Sequence, residues 1–355
     1  VNAYTRRLPL ILVGVVLLGL WAVSPRTGTP SPGQLSNGQP ATGQAATPPP
    51  SLVLSDPTPR IAIIYDAGGR GSAGFSELAW EGAKRAADTL GADLLEVTAT
   101  AGETDADREA RLKGLAEARY HPILVIDPTY AGPVATVAPK YPSIWFGIVD
   151  DGNVVSRNVI GIQFSDEQGS FLVGAAAALT SKTGKVGFIG TVQSPLMQKY
   201  EAGFTAGAKA ANPRVKVQVA YSSPAAARNG ALAIYDAGAD VIFAAAGDAS
   251  SEVIQAAHDR GLWAIGVRSD QYVMSDPSVR SAILTSMLER ADVALYIVAM
   301  EVANGVPKDG NNVFGLDRGG VGFSTSGGFV DSIKAQLDAF AAKIAAGEIL
   351  VPTTP

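Results

Sequence analysis

The sequence predicts an α/β protein of two doubly wound lobes, and three observations carry the prediction. Short apolar runs without polar alternation, such as Ile61-Ala62-Ile63-Ile64-Tyr65, recur along the chain, as expected of strands covered on both faces. Each run is followed by a segment of helical spacing, the crossover that parallel strands require. The roughly 300 residues beyond Pro59 are also many for one core, which favours two.

The first strand, Arg60–Tyr65, ends at Asp66 and a glycine-rich loop, and apolar spacing from Phe75 to Leu90 reads as a helix. Strands Asp93–Val97, Pro122–Ile126 and Ser143–Val149 then alternate with helices Thr104–Arg119 and Ala131–Lys140, extending a first lobe to about Phe164. A second set comes after it: helix Glu167–Ser181, strand Lys185–Ile189, helix Leu196–Ala211, strand Val215–Ala220 and helix Ala225–Ala237. Strand Asp240–Ala244, helix Ser250–Gly261 and strand Leu262–Val267 continue it. Three later segments read as strand Ala282–Thr285 and helices Glu289–Asn304 and Gly328–Ala346.

Residues 1–23 read as a signal or membrane anchor. Arg6 and Arg7 precede the apolar stretch Leu8 to Val23, which places the chain beyond Val23 outside the cytoplasm. Its length lies between a signal-peptide core and a full span, so cleavage and retention are both open, although Pro25 after Ala22-Val23-Ser24 disfavours cleavage. Residues 24–59, rich in Pro, Gly, Thr, Ser and Gln, cannot build a core and read as a disordered tether. The expected localisation is extracytoplasmic, anchored to the cell membrane or exported.

Charge and residue counts exclude several functions. A net charge of -5 leaves no basic field for nucleic acid, so no such partner is expected. With no Cys and two His, neither a thiolate zinc site nor an imidazole cluster is expected, and no metal or cofactor is predicted. No G-x-S-x-G, HExxH or Walker sequence is present.

The run NVIGIQFSDEQGSFLVGAAAALTSKTGKVGFIGTVQSPLMQKYEAGFTAGAKAANP, residues 158–213, carries a resemblance, together with GFSELAWEGAKRA, YPSIWFGIVDDG, GADVIFAAAGD, GVRSDQ, LTSMLERADVA and the ending GEILVPTTP. From Arg60 to Pro355 the chain resembles the basic membrane protein family of extracytoplasmic solute receptors, most of whose characterised members serve ABC transporters as purine-nucleoside receptors. The resemblance implies a type I periplasmic-binding-protein fold, two lobes joined by a three-crossing hinge near Phe164, Gln271 and Leu316. Lobe 1 is then residues 60–164 plus 272–316, and lobe 2 is 165–271 plus 317–355. It also implies a nucleoside-like ligand and two protein partners, an ABC permease and its ATPase. Family members are commonly lipoproteins through an N-terminal Cys, which this sequence lacks.

In open α/β sheets the loops after the carboxyl ends of strands line the crevice. Here those are Asp66–Phe75, Asp127–Tyr130, Asp150–Asn153, Thr191–Tyr200, Gly247–Ser250 and Arg268–Gln271. A nucleoside asks for flat faces and directed polar groups. Phe75 is a candidate stacking face and Tyr200 a second; Asp66 and Asp150 are acceptors, Asp150 resembling the family's base-contacting Asp. Gly247 permits close backbone approach to a sugar. Ser76 stands where the family often has Asn, and Ser72 where it often has Asp. Arg268 and Glu289 stand where the family usually has Asp and Lys, an exchanged pair that could face each other across the sugar subsite. Arg268 would suit a carboxylate or phosphate on the ligand, and Asp270, in the same loop, completes the set.

Gly69-Arg70-Gly71-Ser72-Ala73-Gly74 supports a different reading. It is a literal GxGxxG between a strand and a helix, with Asp93 and Glu96 beyond it, the pattern of an NAD-dependent enzyme. The turn begins four residues after its strand, which argues against it. The favoured expectation is a non-enzymatic solute-binding protein that closes on its ligand; a membrane-tethered sensor or interaction protein of the same fold is the alternative.

Overall fold

The structure, a computed structural model, describes residues 58–355 apart from Ala73. The anchor expected over 1–23 and all but the end of the tether expected over 24–59 lie outside the described residues.

The first sheet begins with β1 (Arg60–Tyr65), α1 (Gly74–Leu90), β2 (Asp93–Thr98), α2 (Asp105–Glu117), β3 (Ile123–Val125), α3 (Ala131–Val137), β4 (Phe146–Val149) and β5 (Val159–Phe164). The chain then enters α4 (Asp166–Thr180), β6 (Lys185–Gly190), α5 (Pro195–Ala211), β7 (Lys216–Tyr221), α6 (Ala227–Asp236), β8 (Val241–Ala245), α7 (Ser250–Arg260) and β9 (Trp263–Gly266). It ends with α8 (Gln271–Met274), β10 (Ile283–Glu289), α9 (Ala291–Ala303), β11 (Gly310–Phe314), β12 (Val321–Phe323) and α10 (Lys334–Ala345).

Two six-stranded sheets result, in the orders β11-β5-β4-β3-β1-β2 and β12-β10-β9-β8-β6-β7. All pairings are parallel except β10 with β12. Central strands β3, β4 and β8 are buried along their whole length, which explains their unbroken apolar sequences. Edge strands β2 and β7 alternate with Asp93, Glu96, Lys216 and Gln218, polar residues that suit an edge facing water.

The small residues of 158–213 are explained by α4 and α5, whose backbones touch. A Cβ on Gly174 would stand 2.1 Å from the Phe204 carbonyl oxygen, one on Gly203 2.1 Å from that of Glu167, and one on Gly207 1.9 Å from that of Phe171. Each glycine inside a helix costs about 0.5–1 kcal/mol relative to alanine, and the close approach it permits offsets that cost by burying both helices.

The chain crosses between sheets three times, after Phe164, after Glu289 and after Phe314. The segments lie side by side: Ser165 N–H donates to the Phe314 carbonyl (3.2 Å), Leu316 N–H to Gln168 Oε1 (2.9 Å) and Arg290 N–H to the Gly320 carbonyl (2.8 Å). The second crossing corrects the boundary expected near Gln271. The strand expected over Ala282–Thr285 does not return to the first lobe; as β10 it fills a place between β9 and β12, where both of its faces are covered. Only then does α9 return to pack on α1, where Gly82 leaves room for the Asp292 backbone. Helix α10 packs on α4 of the second lobe, with Phe340 edge-on to Phe171 (centroids 5.4 Å apart).

Candidate functional site

A cleft of about 460 Å³ opens at the carboxyl ends of strands from both sheets, a size usual for small-molecule sites. The first lobe contributes Asp66 after β1, Phe75 and Ser76 at the start of α1, Asp127 after β3 and Asp150 after β4. The second contributes Gly247 and Ser250 after β8, and Arg268, Ser269, Gln271 and Met274 after β9.

Local structure places each group. Asp66 faces the cleft while its Oδ1 accepts from Gly68 N–H (2.9 Å), so it also fixes its own turn. Asp127 caps the short turn after β3, accepting from Thr129 N–H (2.9 Å). Phe75 is buried and meets Phe164 edge-on, centroids 5.9 Å apart. Gly247 turns the chain at φ 57, a conformation glycine adopts without strain.

Asp150 and Arg268 are held at φ 61 and φ 68, a left-handed conformation that non-glycine residues seldom adopt. Both flank the cleft, one on each lobe, and their side chains meet across it: Arg268 Nη2 donates to Asp150 Oδ2 at 2.8 Å. The guanidinium also lies over the Phe75 ring, its carbon 4.3 Å from the centroid. On the other side Arg268 Nε is 3.1 Å from Glu289 Oε2.

Beneath Arg268 is a buried polar chain. Glu289, at the end of β10, accepts from the Tyr200 hydroxyl (2.5 Å) and, with Asp166 at the start of α4, is buried. Burial pushes the Asp166 carboxyl well above the carboxylate range, and the neighbouring charges of Glu289 and Asp150 push it further. Burial raises Glu289 as well, against the opposing pull of Arg268, while Asp150 adds to the rise. Burial alone would lower the Arg268 pKa, but Glu289 and Asp150 outweigh it and hold the guanidinium protonated. Asp166 and Glu289 adjoin the first and second crossings, so this chain lies at the hinge.

Of the residues singled out in the sequence, Asp66, Phe75, Ser76, Asp150, Gly247 and Arg268 line the cleft. Three others do not. Tyr200 is buried with its ring against Phe243 (6.2 Å), so it offers no face to the cleft. Asp270 caps α8 and accepts from the hydroxyls of Ser324 (2.7 Å) and Ser326 (2.6 Å). Glu289 sits below Arg268 and is in contact with it, so the two do not stand apart across a sugar. Arg268, already paired with two carboxylates, is no free cation for an anionic ligand. The residue missed is chiefly Met274, on a helix too short to leave a periodic signal; the sequence reaches Gln271 only as the end of its loop.

The GxGxxG also has a different explanation. A Cβ on Gly74 would stand 2.2 Å from Met274 Sδ and 3.0 Å from Ser269 Cβ, so this glycine lets the second lobe approach the start of α1. Glu96, one of the two acids that reading offered, is engaged by Arg70 at 3.4 Å, and the other, Asp93, opens the exposed edge strand β2. His121 Nδ1 accepts from Trp145 N–H (3.1 Å), and His258 lies exposed in the last turn of α7.

Comparison with known proteins bears on the family and the fold. A family profile described as ABC transporter substrate-binding protein PnrA-like (Bmp) matches residues 59–355. The chain is 33% identical over 317 residues to a CD4+ T-cell-stimulating antigen of Listeria monocytogenes, covering 83% of this chain and 88% of that one. It is 27% identical over 318 residues to the ABC transporter nucleoside-binding protein BmpA of Lactococcus lactis, covering 83% and 89%. Among solved structures, an ABC transporter solute-binding protein from Conexibacter woesei matches its fold with a TM-score of 0.70 at 22% identity, over 84% of this chain and all of that one. The chain therefore belongs to the Bmp family of PnrA-like ABC transporter substrate-binding proteins, whose members are extracytoplasmic.

Proposed function

We propose that this protein captures a nucleoside-like ligand, a purine nucleoside foremost, between its two lobes, and delivers it to an ABC permease without covalent chemistry. The observation that carries the reading is the pairing of a flat face, Phe75, with a carboxylate acceptor, Asp150, on one wall of the cleft. A base can stack on the first while its N–H edge donates to the second. The Ser76 hydroxyl and the Gly247 backbone are groups with which a ribose can bond. The relative named as a nucleoside-binding protein supports the same reading. Residues 1–23 would anchor or export the domain, with 24–59 as its tether.

Loading rests on differential affinity. Each lobe presents half of the site, and only the closed arrangement offers both, so ligand shifts the population toward closure. A thermal-shift screen of the purified protein against nucleosides, free bases, sugars and amino acids tests the proposal. Selective stabilisation by purine nucleosides is expected; stabilisation by sugars or amino acids alone would refute it.

A further inference from the structure

The cleft is spanned by one of the protein's own side chains. Arg268 belongs to the second lobe and is fastened there by Glu289, which Tyr200 orients. Its other two contacts, the 2.8 Å bond to Asp150 and the 4.3 Å approach to the Phe75 ring, are both with the first lobe. A planar, N–H-bearing cation thus covers the aromatic face and occupies the carboxylate that the proposed function assigns to a base. The left-handed backbone at Asp150 and at Arg268 aims the two side chains toward each other, a strained arrangement present on both sides of the same contact.

We propose that Arg268 is an intramolecular occupant of the ligand position, which latches the lobes together when no ligand is present and which a ligand must displace. The latch stands on the contacts alone; the identity of the displacing group rests on the reading of the cleft as a nucleoside site. Displacement leaves Arg268 its partner on its own lobe, Glu289, so the guanidinium can swing away without losing every counter-charge. The ligand must then replace both of the lost contacts. It needs a flat face for Phe75 and an edge with N–H donors for Asp150, because an edge of acceptors alone would meet the carboxylate's negative charge unpaired. Arg268 is therefore a specificity-determining residue: it admits only ligands that outcompete a guanidinium for these two groups.

The absence of cysteine allows clean labelling. Spin labels at Lys113→Cys on α2 and Lys209→Cys on α5, both exposed, report the distance between lobes by double electron–electron resonance. In ligand-free protein the parent should give one narrow distribution, and Arg268→Ala should give a broader one, displaced by several ångströms. Asp150→Asn, which cuts the same bond from the other lobe, should displace it likewise and serves if Arg268→Ala does not fold. Unchanged distributions would overturn the latch. Guanosine, whose N1–H and 2-amino edge presents the same pair of donors as a guanidinium, is the calorimetric probe. Because the latch stabilises only the unliganded form, Arg268→Ala should bind it about tenfold more tightly; weaker binding would mean that Arg268 grips ligand and would overturn the competitor role. If the labels move but guanosine binds neither protein, the latch stands and the nucleoside reading falls. If guanosine binds and the labels do not move, the reverse holds.

Discussion

Replacing Phe75 with leucine separates the binding role of this side chain from its packing role. The ring is buried against Phe164, so alanine would leave a cavity and cost about 3–5 kcal/mol of stability, whereas leucine nearly conserves volume and should cost less than about 1.5 kcal/mol. What leucine removes is the flat π face. Stacking of a base on an aromatic is worth about 1–3 kcal/mol. The same substitution also deprives Arg268 of its contact with the ring, worth about 0.5–1 kcal/mol, which weakens the internal competitor. Taking the middle of each range, the net loss of ligand affinity should be about 1.3 kcal/mol, roughly ninefold in Kd. Calorimetric titration with guanosine gives the affinity, and urea unfolding of the same samples gives the stability. An unchanged Kd, or a loss of affinity that merely tracks a loss of folded protein, would refute the assignment of Phe75 as a stacking face.

Three further outcomes bear on packing and on charge. Gly207→Ala drives a methyl group into the Phe171 carbonyl of the facing helix and should lower stability by about 1–3 kcal/mol, seen as a fall in Tm; an unchanged Tm would show that α4 and α5 are not in backbone contact. Asp166 has a raised pKa when folded, so its contribution is greatest below its unfolded pKa of about 3.9 and is lost as pH rises toward the folded value. Asp166→Asn should therefore gain stability relative to the parent as pH rises above about 4, and parallel pH profiles would contradict the shift. Glu103 behaves oppositely: its bond to Arg111 foremost lowers its pKa to about 2 against the opposing effect of burial, with Thr100 and Tyr130 also donating. Its stabilisation is present above pH 4.5 and fades as pH falls toward 2, a slope that Glu103→Gln should abolish in acid unfolding.

Much of the architecture was legible because each central strand is apolar on both faces and each is followed by a helix-length crossover. Sheet membership was less so. Strand β10 reads as a strand, but whether it joins one lobe or the other depends on which neighbours cover it, and β9 and β12 do so. Strand β11, Gly310-Asn311-Asn312-Val313-Phe314, has little intrinsic strand preference and owes its conformation to pairing with β5. In the site, Phe75 and Asp150 could be found because they lie just past strand ends, where crevices form. Tyr200 was misleading for a related reason: it lies one helical turn beyond its loop, on the side of α5 that faces the core. Arg268 stood out as a departure from the family pattern, yet its bond to Asp150 joins residues 118 positions apart on different lobes, and no spacing in the sequence encodes that.

The central claim, that the cleft between the lobes holds one purine nucleoside with Asp150 as its acceptor, is tested most directly by titrating guanosine into Arg268→Ala and into the double variant Arg268→Ala/Asp150→Ala, because the Arg268–Asp150 bond is absent from both. Saturable binding of one guanosine per chain is expected, at least tenfold weaker in the double variant, in line with the loss of a hydrogen bond to a charged group worth about 1.5–3 kcal/mol. Equal affinity in the two proteins, or no saturable binding to Arg268→Ala, would contradict it.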